Sequence, residues 1–92
     1  MTNKKSKLLD IFSGELKPLI LCNLSNGRKT ISNIHKVAKD ASYEILCKNL
    51  KELEKNNLVN KEYFYGYPPR VEYFLTSKGY KYTKLFNELE VL

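Results

Sequence analysis

The chain has 92 residues, of which 42% are hydrophobic and 12% aromatic, too rich in apolar side chains for a disordered polymer. Such a length suits one domain, residues 1–92, with a modest core that a second copy would reinforce. Its 16 lysines and arginines against 10 acidic residues leave a formal charge of +6, a field that favours polyanions such as nucleic acid or an anionic membrane surface. Only Arg28 and Arg70 carry guanidinium groups, so a planar fork for bidentate contacts is rare here.

The polar, basic start Met1–Lys7 resembles no secretory leader, and no apolar run approaches the roughly 20 residues that span a bilayer. A cytoplasmic protein with Cys22 and Cys47 reduced is therefore expected, without a membrane partner. A short amphipathic segment, Ser6–Phe12, carries Leu8, Leu9, Ile11 and Phe12 before Ser13-Gly14 interrupts it. From Glu15, helical spacing of Leu16, Leu19, Ile20, Leu21 and Leu24 predicts a helix. Pro18 is tolerated in its first turn, and Asn26-Gly27 ends it, with Gly27 suited to a left-handed backbone.

Thr30 is a good N-cap for a short helix whose apolar stripe is Ile31, Ile34, Val37 and Ala38. After the break at Asp40-Ala41-Ser42, Ser42 caps a helix from Tyr43 to Asn56, with Ile45, Leu46, Leu50 and Leu53 on its core side. Asn56-Asn57 closes it, since asparagine tolerates the left-handed cap. The period then changes: Val59–Tyr65 and Arg70–Leu75 read as strands around a Gly66-Tyr67-Pro68-Pro69 turn, whose prolines cannot donate to a ladder. Alternation puts Tyr63, Tyr65 and Tyr67 on one face and Phe64 on the other. Thr76 caps a last helix with Tyr80, Leu85, Phe86, Leu89 and Leu92 as apolar positions, and Gly79 weakens its first turn by about 1 kcal/mol relative to alanine.

Helix, helix, helix, strand, strand, helix is a mainly α architecture with a small β-hairpin (α+β), the order of a winged helix-turn-helix. In that arrangement the third helix presents its polar N-terminal half to the major groove of duplex DNA. Ser42, Tyr43, Glu44, Cys47, Lys48 and Lys51 lie opposite Leu46, Leu50 and Leu53 and are the candidate contacts. Lys48 and Lys51 suit phosphate or guanine, Tyr43 a phosphate or thymine methyl and Ser42 a phosphate, while Glu44 either accepts from a cytosine amino group or simply repels the backbone. Arg28, Lys29 and Thr30 could clamp phosphate beside the second helix, and Arg70 could reach a phosphate or a narrow minor groove from the wing.

The segment PPRVEYFLTSKG, Pro68 to Gly79, resembles the signature of HxlR-type regulators, roughly Pro-Pro-x-Val-Glu-Tyr-x-Leu-Thr-x-x-Gly. Upstream, SYEILCKNLKELEKNNLV, Ser42 to Val59, is similar to that family's recognition helix, with Leu46, Leu50 and Leu53 as its leucine frame. Leu16 stands where the family usually has tryptophan, Thr30-Ile31 replaces a basic-aromatic pair, and Ala41 replaces an isoleucine. The resemblance, over about Gly14 to Leu92, implies a dimeric, cytoplasmic DNA-binding regulator whose terminal helices form the dimer contact.

The residues themselves point the same way: Leu8, Leu9 and Phe12 near one end and Tyr82, Leu85, Phe86 and Leu89 near the other form apolar strips that a two-fold homodimer would bury. A winged-helix protein-interaction module that never touches nucleic acid is the competing reading. Catalysis has little support, for His35 is the single histidine and there is no Gly-rich phosphate loop or nucleophile elbow. Cys22, His35 and Cys47 follow no zinc spacing, so neither a metal nor a cofactor is expected. Cys47, near lysine on the third helix, leaves redox sensing open, while Cys22 among leucines reads as buried; no small-molecule effector is evident.

Overall fold

The structure, a computed structural model, describes residues 16–91, without the side chains of Phe86 and of residues 89–91. The expected segment Ser6–Phe12, and with it Leu8, Leu9 and Phe12, lies outside the described residues. The elements in order are α1 (Leu16–Leu24), α2 (Ile31–Val37), α3 (Tyr43–Lys55), β1 (Val59–Phe64), β2 (Arg70–Leu75) and α4 (Ser77–Val91). No described helix is long and apolar enough to cross a membrane.

The boundaries follow local chemistry. Gly27, at φ 127°, turns the chain after α1, and its N–H donates to the carbonyl of Leu24 at 3.1 Å. Thr30 and Ser42 cap α2 and α3: their hydroxyls accept from the N–H groups of Asn33 and Ile45 at 3.3 and 3.2 Å. Asn57 adopts φ 63° after α3, and the N–H groups of Asn57 and Leu58 donate to the carbonyls of Glu54 and Leu53, each at 2.9 Å. Those paired bonds form a Schellman closure, with asparagine in the position that glycine usually takes. Thr76 caps α4 by accepting from Gly79 N–H at 3.0 Å while donating to the Asn57 carbonyl at 2.7 Å.

The hairpin is antiparallel, from Val59 opposite Leu75 to Phe64 opposite Arg70. β1 stops at Phe64 rather than Tyr65, and the Tyr67–Pro68 peptide is cis. Tyr63 and Tyr65 share a face as expected, their rings stacked 6.3 Å apart, whereas Tyr67 stands wholly exposed in the loop. Ile20, Leu21, Leu24, Ile34, Leu46, Leu50, Leu53 and Leu58 are fully buried and join the helices to the base of the hairpin through Val59 and Leu75. Burying each such side chain stabilises the fold by about 1.5–3 kcal/mol. Leu50 and Leu53 keep their expected places, but Ile45 and Val37 do not: each is 49% exposed. Both line a shallow apolar groove with Leu16 and Leu19, because helical spacing admits a wider stripe than this small core can cover.

Gly79 also departs from its expected role. It is buried, and a Cβ there would overlap the carbonyl oxygen of Leu58. The residue that looks like a flaw in a helical turn is what lets α4 approach the start of β1.

One buried cation was not foreseen. Lys17 of α1 is only 6% exposed and pairs across the core edge with Glu52 of α3 at 2.6 Å. The lysine's hydrogen bond, and then its charge, hold the Glu52 carboxyl below its ordinary range. A lowered carboxyl contributes stability above the unfolded-state value, and that contribution is lost as pH falls through the folded-state value. Glu52→Gln is therefore expected to lower the urea midpoint at pH 7 but to lose less than wild type between pH 7 and pH 2. Equal acid losses in the two proteins would rule out the pair as a source of acid sensitivity.

Candidate nucleic-acid interface

The surface of interest begins at the turn between α2 and α3. Ser42 ends the turn with its hydroxyl on the Ile45 N–H, which leaves the earlier N–H groups of α3 and their partial positive charge available to an anion. Leu46, Leu50 and Leu53 anchor the opposite side of α3. Ser42, Tyr43, Glu44, Lys48 and Lys51 are exposed, and Cys47 is half-buried beside them. The structure thus brings the expected recognition-helix residues onto one outward surface. Asn49 was not singled out; its side-chain amide donates to the Ile45 carbonyl at 2.8 Å, so it bonds along the helix.

The second group of expected residues is placed differently. Arg28 turns to the wing, with Nη1 2.6 Å from Glu62 and 3.7 Å from Glu72 and its guanidinium 4.3 Å from the Phe74 ring centroid. Glu62 and Glu72 stand directly opposite each other in the hairpin, a pairing of like charges that is unfavourable without a cation between them. Arg70 supplies another: its Nε donates to Glu72 at 2.9 Å, and the guanidinium lies over Phe64. Lys61, of the same hairpin, pairs with Glu54 of α3 at 3.4 Å. Desolvation works against its charge, but Glu54 and the Tyr63 hydroxyl more than offset this and raise the ammonium's pKa above the ordinary lysine value.

Lys29 does more than its sequence suggests. It exchanges backbone hydrogen bonds with Tyr73, at 3.0 and 2.8 Å, and so adds a single-residue third strand to the wing. Burial pushes the Tyr73 hydroxyl above its ordinary pKa. Thr30 spends its hydroxyl on the α2 cap, donating to Asn33 Oδ1 at 2.8 Å as well as accepting from the backbone. His35 caps the turn before α3 through a bond to the Ala41 carbonyl. No local signal announces the Lys29 or Arg28 contacts, which join residues distant in the chain.

Of the expected dimer residues, Tyr82 and Leu85 are half-buried against the chain's own core. Part of that surface is thus used within one chain. The side chains of Phe86 and Leu89 lie outside the described residues. Cys22 is half-buried rather than enclosed. Among the described residues no group of three or more His, Cys, Asp or Glu side chains is placed to hold a metal.

Comparison with known proteins agrees with this geometry. The chain is 41% identical over 66 residues to an uncharacterized HTH-type transcriptional regulator of Methanothermobacter thermautotrophicus, a match covering 72% of this chain and 50% of that protein. It is 33% identical over 89 residues to the uncharacterized HTH-type transcriptional regulator YvaP of Bacillus subtilis, covering 97% of this chain and 82% of YvaP. The chain spans about half the length of the first curated relatives it matches, 50% of the Methanothermobacter protein and 56% of the Bacillus subtilis regulator YtcD. Among solved structures, the reduced form of the transcriptional regulator YodB from B. subtilis superposes with a TM-score of 0.85 at 28% identity, covering 99% of this chain and 90% of YodB. Residues 11–92 match the family model described as HxlR-like helix-turn-helix. This chain belongs to the HxlR-like helix-turn-helix family.

Proposed function

We propose that this protein is a sequence-specific double-stranded DNA-binding transcription regulator that acts as a homodimer. The observation that carries the reading is the outward surface of α3: a capped, exposed N-terminus followed by Lys48 and Lys51, with every leucine of the helix turned inward. Seated in the major groove, α3 would direct Ser42 and its free N–H groups at phosphate and Tyr43, Glu44, Cys47 and Lys48 at base edges. Lys51 would reach backbone phosphate. Lys29 is tied to the wing by its backbone bonds to Tyr73, and the wing also carries the exposed Tyr65 and Tyr67, which would extend the contact with DNA. Arg28, Thr30 and Arg70 would join only by exchanging their present partners for phosphate.

Dimerisation places two such helices about 34–36 Å apart, one turn of DNA. Tyr80, 49% exposed on α4, and the incompletely covered Tyr82 and Leu85 support a partner surface there. The relatives' names as transcriptional regulators favour this reading over catalysis.

Selection of bound duplexes from a random pool, with solution mass measured alongside, tests both parts; a symmetric motif bound by two copies is expected. Lys48→Ala is expected to weaken binding and reduce the slope of log K against log[salt] by about one. A flat salt response in wild type, or no duplex binding at low salt, would favour a protein-interaction module instead.

A further inference from the structure

His35 holds two neighbours at once. Its Nε2 lies 2.9 Å from the carbonyl oxygen of Ala41, and because a carbonyl only accepts, Nε2 carries the hydrogen and donates. Its ring also stacks on Tyr43, with centroids 4.4 Å apart and planes 21° from parallel. Ala41 belongs to the turn after α2, and Tyr43 is the first residue of α3. Between them Ser42 is held by its own cap bond to Ile45. Three consecutive residues at the start of α3 are thereby fixed by three separate contacts, two of which come from one histidine.

Tyr43 nonetheless remains 48% exposed. Its ring is ordered on one side while the other side is left for a ligand. An unrestrained tyrosine would have to be immobilised on binding, at a cost in affinity of about 2- to 12-fold.

We propose that His35 is a positioning residue: it clasps the turn and holds the Tyr43 ring in the orientation in which that ring meets DNA, without touching DNA itself. This rests on the DNA-binding reading above. It assigns to α2 a share in the affinity and base preference of α3, and it makes the Tyr43 contact conditional on a residue of another helix. A histidine serving only to stabilise the turn would affect folding but would not depend on what stands at position 43.

The test is a double-mutant cycle on the full chain, read as equilibrium affinity for a selected duplex at fixed salt, with thermal unfolding recorded for each variant. His35→Ala is expected to weaken binding about 2- to 12-fold and to relax base preference at the position beneath Tyr43. Tyr43→Leu should weaken binding at least as much, and adding His35→Ala to it should cause no further loss. His35→Phe, which keeps a stacking ring, should stay nearer wild type than His35→Gln, which keeps a donor without the ring; this pair carries the test if His35→Ala does not fold. Strictly additive losses, or His35→Phe no better than His35→Gln, would overturn the proposal while leaving DNA binding intact. Absence of salt-dependent duplex binding in wild type would remove both readings together.

Discussion

Gly79→Ala is expected to destabilise the domain by about 3 kcal/mol, at the severe end of overpacking. Helix propensity alone gives the opposite sign, since alanine in place of glycine inside a helix is favourable by about 1 kcal/mol. The structure decides between them. The new Cβ would overlap the Leu58 carbonyl oxygen, a backbone atom. That carbonyl cannot rotate aside, because it accepts the N–H of Thr76 at 3.1 Å in the connection that leads into α4. Relief would require α4 to move off the base of the hairpin, loosening Leu75, whose Cδ2 lies 3.2 Å from the same Cβ position. Gly66, with nothing within 4 Å of its own Cβ position, is the control: Gly66→Ala should change stability by less than about 0.5 kcal/mol. Urea denaturation of the two variants measures the contrast, and a stabilised Gly79→Ala would mean that α4 does not pack as described.

Leu46→Ala should cost about 2–5 kcal/mol, whereas Ile45→Ala, one residue earlier, should change stability by about 0.5 kcal/mol or less. Leu46 is fully buried in the hydrophobic core, so truncation leaves a cavity. Ile45 is 49% exposed over the shallow groove, where water already has access. Truncating Ile45 removes little buried area and slightly raises helix propensity. Denaturant midpoints at constant m-value report the difference. Similar losses for both variants would place Ile45 in the core after all, with the groove filled.

Both contrasts separate near neighbours that look alike in sequence, and the candidate interface shows the same division. The caps at Thr30, Ser42 and Thr76, the left-handed Asn57, the hairpin and the inward leucines of α3 are legible from residue type and spacing, because each depends on a few consecutive residues. The outward placement of Lys48 and Lys51 follows from the same periodicity. Arg28 is the counterexample. Read locally it is a cation before a helix, free for phosphate; in three dimensions it neutralises Glu62 and Glu72, residues far along the chain that hairpin register sets opposite each other.

What this sequence determined by itself is the order of its elements, their ends to within about one residue and the inward leucines of α3, since local hydrogen bonding and apolar period suffice for these. Only the tertiary structure decided that Gly79 is a contact point, that Lys17 is buried against Glu52, that Lys29 joins the wing and that His35 holds Tyr43. Each of those joins separate elements, and the distance between two elements is set by how the whole core packs.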